Sequence, residues 1–207
     1  NWLTEAQKDQ LEEQLQAEQR DIKPVKNYAA AFKSRVVILL CLQYALWSIG
    51  VYGFVMWLPS IINEAPNMNI VTTGWLSAVP YVLAIAAMLA ASYFSDKTLK
   101  RKEFVYPFLF VGAIAFYGSY LIGADHFWLS FVLLVIAGGA MYAPYGPFFA
   151  IITEVLPKNV AGGAIALINS FGALGSFAGA YLVGYLNGIT GDFSISYIFM
   201  AGSLFLS

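Results

Sequence analysis

Five stretches of this chain carry no charged residue at all, over residues 36–62, 70–95, 104–124, 127–153 and 160–191. Each is longer than the roughly 20 residues a helix needs to cross the hydrocarbon core of a bilayer. Lipid offers backbone N–H and C=O groups no water, so a spanning segment must pair them internally, and a helix does so within one segment. The chain therefore reads as all-α, a polytopic transmembrane helix bundle. A water-soluble fold is excluded by the same pattern. Surface area shrinks too slowly with size for a 207-residue domain to hide a composition that is 59% hydrophobic and 11% charged. A sixth apolar stretch, 193–207, is short for a span, which predicts that the chain ends partway through a helix.

The charges divide the chain in two. Twelve of the 23 Asp, Glu, Lys and Arg residues fall within the first 35. Residues 1–34 read as a solvated segment outside the membrane, and 35–207 as the transmembrane bundle. In the first segment Thr4 and Gln7 have the spacing of a capping box, and Leu11 and Leu15 form a short apolar stripe among good helix formers. Pro24 ends that helix or follows its end. The expected helices in the bundle cover about 36–62, 71–94, 104–123, 127–153, 161–187 and, incomplete, 194–207. Trp57 reads as an interfacial aromatic at the far end of the first span, with Pro59 and Asn63 marking the exit. Short connections imply antiparallel neighbours.

Orientation follows from the basic residues, which favour the cytoplasmic side. With residues 1–34 cytoplasmic, the inner connections are that segment, 96–103 and 154–159. Together with Arg35 they hold all eleven Lys and Arg residues. The connections near Glu64, Asp125 and Asp192 hold none. The chain is thus expected to be a multi-pass protein of a cell membrane, a bacterial inner membrane in particular.

Several chemistries are excluded. A net charge of -1 gives no footprint for nucleic acid. One histidine and one cysteine make no zinc cluster. His126 reads as a surface residue between Asp125 and Phe127, and Cys41 as a packing residue. No nucleophile or phosphate-loop motif is present. No enzyme activity, metal or cofactor is expected.

Small and polar residues inside the spans carry the remaining signal. Gly172 with Ser176, Gly175 with Gly179 and Ala180 with Gly184 lie four apart, a row that lets helix backbones approach closely. Gly138, Gly139, Pro144, Gly146 and Pro147 predict a bent or locally broken fourth span. Helix bending and the lining of an aqueous cavity both account for them. Asn169 sits about nine residues into the fifth span among Ile165, Leu167, Ile168 and Phe171. A polar amide there needs a partner, either a neighbouring helix or a hydroxylated ligand. In the first span Gln43 and Tyr44 precede Tyr52, and Tyr44, Trp47 and Val51 share a face. In the fourth, Tyr142, Tyr145 and Phe149 fall at helical spacing. Packing and cavity lining are both open for these aromatic residues.

The loop Ser95-Asp96-Lys97-Thr98-Leu99-Lys100-Arg101-Lys102 resembles the major facilitator superfamily pattern Gly-x-x-x-Asp-Arg/Lys-x-Gly-Arg/Lys-Arg/Lys, with Ser92 and Leu99 where the pattern has Gly. Trp2-Leu3-Thr4-Glu5, Trp57-Leu58-Pro59, Ala78-Val79-Pro80-Tyr81 and the run from Gly162-Gly163 through Asn169 to Gly172 and Gly175 resemble the anion:cation symporter branch of that superfamily. That branch includes carriers of hexuronates, aldonates, aldarates and sialic acid. The resemblance implies the C-terminal six-helix half of a major facilitator fold, helices seven to eleven and the start of twelve, with the last helix truncated. It implies that Asp96, Lys97 and Arg101 act in gating, and that Asn169 contacts substrate. Gln43, Tyr44, Tyr52, Tyr145 and Phe149 are the further candidates for substrate contact.

No ionisable Asp, Glu, Lys, Arg or His lies mid-span, where proton relays and anion-pairing groups are normally found. A proton-carrying carboxylate and a substrate-pairing Arg are therefore expected in an N-terminal half outside this chain. Glu154, at the inner end of the fourth span, belongs with the gate or an interface. The expected function is proton symport of a small organic anion such as a hexuronate or aldonate by alternating access. The expected partners are that anion, a proton or other coupling cation, the lipid bilayer and the N-terminal half. A carrier of a neutral sugar, nucleoside or drug is the alternative, and a membrane scaffold or enzyme subunit the second.

Overall fold

The computed structural model describes residues 4–18, 28–63, 65, 68–123 and 126–207. Trp2, Leu3, Arg20, Lys23, Pro24, Lys26, Glu64 and Asp125, and the side chains of Leu15 and Lys158, lie outside the described residues. The described chain is all-α, without a strand. Helices α1 (Glu5–Glu18) and α2 (Tyr28–Phe32) precede the bundle. The bundle consists of α3 (Arg35–Asn63), α4 (Ile70–Thr98), a one-turn 3-10 helix (Arg101–Phe104), α5 (Tyr106–Ile122), α6 (Phe127–Tyr142), α7 (Tyr145–Val155), α8 (Lys158–Thr190) and α9 (Ser194–Leu206). Among the described residues there are five spans long and apolar enough to cross a membrane, with α6 and α7 together making one of them.

Local chemistry explains where the helices begin and end. The capping box opens α1, with the Thr4 N–H donating to Gln7 Oε1 at 3.0 Å and the Gln7 N–H to Thr4 Oγ1 at 3.4 Å. Asn69 caps α4, its Oδ1 accepting the Thr72 N–H at 2.9 Å. The other end of α4 closes on Leu99, whose φ of 57° is left-handed and whose N–H donates to the Ser95 carbonyl at 2.9 Å. Glycine favours that conformation, and a side chain there costs about 1–2 kcal/mol. The tight turn is therefore made at the position where the family pattern has Gly, but with a strained leucine. The fourth span breaks between α6 and α7. Pro144 cannot donate to the Ala140 carbonyl, nor Pro147 to that of Ala143, so two rungs of the ladder are missing.

The bundle is held by close backbone contact. A Cβ on Gly175 would stand 2.9 Å from the Ala45 carbonyl carbon and closer still to its oxygen. One on Gly179 would stand 2.8 Å from Ile49 Cα. Real Cβ atoms do not approach that closely, so α3 and α8 touch main chain to main chain through a glycine seam. Gly50 and Gly53 receive Leu204 and Met200 of α9, and Gly138 and Gly139 receive Pro80 and Leu83 of α4. The glycines of the fourth span are thus contact points as well as neighbours of the break. Between α5 and α6 the buried hydroxyls of Ser119 and Ser130 bond at 2.8 Å. Trp57 is not a free interfacial residue. Its indole N–H donates to the Ala180 carbonyl of α8 at 2.9 Å and its ring covers Gly184.

Large apolar side chains crowd the outside of the bundle. On α4 alone Ile70, Trp75, Val82 and Leu89 are exposed, an arrangement suited to lipid as solvent. In lipid, helices gain little from hiding apolar surface from one another, and their association rests on van der Waals fit and polar contacts. Replacing Gly175 with Leu should therefore destabilise the protein by about 3 kcal/mol or more, since the obstacle is backbone that cannot yield. Gly188→Ala, where nothing lies within 4 Å, should be close to neutral. Thermal unfolding of the two purified variants checks this.

Candidate functional site

Two constellations stand out, one aromatic and one charged. The first gathers around Tyr44 of α3. Its ring stacks on Phe148 with centroids 5.3 Å apart and meets Trp47, Phe149 and Tyr145 edge-on at 5.5, 5.5 and 6.4 Å. Tyr145 in turn stacks on Tyr142 at 5.6 Å, and Tyr142 meets Tyr81 of α4 at 6.0 Å. Trp47 and Phe148 are fully buried behind this wall, Tyr44, Tyr81, Tyr142, Tyr145 and Phe149 are half-buried, and Tyr52 is exposed. The surface is a row of rings with hydroxyl groups and no charge, suited to ring faces, C–H groups and neutral hydrogen-bond partners.

The helix break positions this wall. Tyr145 is the first residue of α7, so the break sets its direction. Despite the break, Tyr142 and Tyr145 keep the stacked relation that an unbroken helix would suggest. Trp47 secures the join. Its buried indole N–H donates to the Met141 carbonyl at 3.0 Å, and its ring lies 4.4 Å from that of Tyr145. At the glycine seam the Tyr44 ring lies directly on Gly172, where any side chain would displace it.

Of the residues singled out in the sequence, Tyr44, Tyr145 and Phe149 come together, with Tyr52 two turns further along α3. Gln43 is half-buried beside Tyr44 in sequence. Asn169 is exposed on α8, three residues before the Gly172 on which the Tyr44 ring lies. Tyr81 completes the wall, and Trp47 and Phe148 back it. Helical spacing puts Trp47 on the face of Tyr44, but nothing in the sequence signals its hydrogen bond to α6. Trp47→Phe keeps a ring and removes the donor. It should destabilise the protein by about 1–2 kcal/mol, the sum of a lost interhelical bond and a small cavity, read as a lowered unfolding midpoint in detergent.

The charged constellation lies at the other end of α7. The Arg101 guanidinium donates from Nε to Glu154 Oε1 at 2.8 Å, and from Nη1 to Asp96 Oδ1 and to the buried Ser95 Oγ, the latter at 3.2 Å. The Arg101 side chain is only 12% exposed while both carboxylates remain largely open to solvent. A single Arg fork thus ties the end of α4, the 3-10 helix and the end of α7. Lys97 is exposed beside Asp96 and stands outside the cluster. The motif spacing joins Asp96 to Arg101, whereas Glu154 is 53 residues further on. No group of three potential metal ligands occurs among the described residues.

Comparison with known proteins identifies the family. The family model of the Major Facilitator Superfamily matches residues 2–207. A protein of Agrobacterium vitis named "Putative tartrate transporter" is 30% identical over all of this chain, which covers 45% of that protein. The quinolone resistance transporter of Acinetobacter baumannii is 27% identical over 97% of the chain, covering 46% of its own length. A Bacillus subtilis protein named "Probable galactarate/D-glucarate transporter GudP" is 25% identical over 78% of the chain, covering 36% of its length. The chain spans about half the length, or less, of these relatives. With its match over nearly every residue and its five membrane-length spans, the chain belongs to the Major Facilitator Superfamily, a family of multi-pass membrane transporters and not of enzymes.

Proposed function

We propose that the full-length protein is a secondary active transporter for a small organic anion of the hexuronate, aldonate or aldarate kind. It works by alternating access with proton symport in a bacterial inner membrane, and residues 1–34 lie on the cytoplasmic side. The observation that carries this reading is the hydroxyl-bearing aromatic wall in a bundle whose five uncharged stretches hold no ionisable Asp, Glu, Lys, Arg or His. Tyrosine hydroxyls and the amides of Gln43 and Asn169 suit the hydroxyl groups of a sugar acid, and ring faces suit its C–H groups. The carboxylate and the coupled proton then require charged partners outside this chain, in an N-terminal bundle that rocks against this one. The relatives with tartrate and galactarate/D-glucarate in their names support that substrate class.

Asp96, Lys97 and Arg101, joined by Glu154, form the inner gate in this reading. The position of Arg101 between two carboxylates supports it, because breaking one contact leaves the guanidinium a second partner. A second reading, a carrier of an aromatic drug, is favoured by the wall of rings and by the relative named for quinolone resistance.

Uptake by the full-length protein in proteoliposomes separates the two. The panel holds hexuronates, aldonates, tartrate, a quinolone and neutral sugars, with and without an inward proton gradient. Gradient-stimulated uptake of one sugar acid is expected, and Asn169→Ala should raise its KM about tenfold, the equivalent of one hydrogen bond at about 1.4 kcal/mol. Uptake of the quinolone or of neutral solutes alone would refute the sugar-acid reading.

A further inference from the structure

At the opposite end of the bundle from Arg101 lies a cavity of about 210 Å³, between the ends of α3 and α5 and the starts of α6 and α9. It is separate from the aromatic wall. Ile61, which lines it, is 17 residues beyond Tyr44 on the same helix, about 25 Å at 1.5 Å per residue. Four rings line this cavity, those of Tyr120, Phe127, Phe193 and Tyr197. Tyr120 and Tyr197 stand 5.9 Å apart, and Phe193 is braced by Trp57 at 5.7 Å.

One lining residue is charged. Asp192 lies in the turn between α8 and α9 and is exposed. Its Oδ1 accepts the Ser194 N–H at 2.8 Å, which orders the carboxylate without neutralising it. None of the ion pairs among the described residues includes it. The sequence places no Lys or Arg in the connections at this end, while Glu64 and Asp125 adjoin Ala65 and His126 there.

We propose that this cavity is a binding site for a small organic cation, a one-ring or quaternary amine. The charge selects for a cation, because an anion would face an unneutralised carboxylate. The four rings fit the apolar part of such a ligand, and the Asp192 carboxylate fits its ammonium group. Ser119 and Ser130 offer such a ligand little, since their hydroxyls are already committed to each other and to the Ser119 carbonyl, at 2.8 and 3.0 Å. A divalent metal is disfavoured, since a lone carboxylate supplies too few oxygen ligands.

Calorimetric titration of the full-length protein in neutral-lipid nanodiscs at low salt tests this, with benzylammonium and benzyl alcohol as the probes. Benzylammonium should bind at least tenfold more tightly than benzyl alcohol. Asp192→Asn should abolish that preference, since the amide oxygen can still accept the Ser194 N–H and keep the turn. Tyr120→Leu should weaken benzylammonium at least fivefold. Equal affinity for the two probes would show an apolar hole and overturn the proposal. So would absence of binding, or a preference that survives Asp192→Asn. The Asp192→Asn comparison separates this cavity from the aromatic wall, since Asp192 lines only the cavity.

Discussion

The contact between α3 and α8 is the constraint on which the rest of the bundle depends. In water, two apolar helices associate because their union frees surface from solvent. In lipid that gain vanishes, and distance becomes the decisive variable, because dispersion attraction falls steeply with even a small gap. Gly175 and Gly179 let the backbones of the two helices touch at Ala45 and Ile49. The same seam places Gly172 under the Tyr44 ring and Gly184 under Trp57. The stability of the pair and the position of the aromatic wall are therefore one property. A side chain added to the seam would not merely loosen the bundle; it would move Tyr44.

The second determinant is the break at Ala143–Pro144. A continuous helix would carry Tyr142 and Glu154 on one rigid rod. The break makes α7 a separate element, held at each end in a different way. At its start, Tyr145 packs on Trp47, whose indole N–H bonds across the break to Met141 of α6. At its end, Arg101 holds Glu154 together with Asp96. Eleven residues of helix separate the two ends. Arg101 is suited to such a place because its fork engages two carboxylates at once, which a lysine could not reproduce.

The two ends of the bundle differ electrostatically. The Arg101 end mixes both signs with basic residues in excess, Arg101 shared between acids and Lys100 paired to Glu103 at 3.1 Å. At the other end Asp192 stands without a basic partner in the same connection. The absence of Lys and Arg from these connections leaves one mouth acidic.

The sequence by itself determined the class of fold. Uncharged stretches of membrane length admit only helices, and the distribution of Lys and Arg orders them. It also determined local punctuation: the capping box at Thr4 and Gln7, the break near Pro144, and the small-residue row of the fifth span. These are properties of a residue and its near neighbours, and periodicity exposes them. The tertiary structure decided which faces meet. That Gly175 meets Ala45, that Trp47 reaches Met141, that Trp57 turns inward to Ala180 and that Arg101 finds Glu154 all depend on helices far apart in the chain. Spacing brought Tyr145 and Phe149 into one set, but only the packing of α3 against α7 joined them to Tyr44. Asn169, polar, mid-span and conspicuous in the sequence, is exposed on α8 three residues before the glycine under Tyr44. The residue's type says that an amide needs a partner, but only the arrangement of neighbouring helices decides where that partner can be.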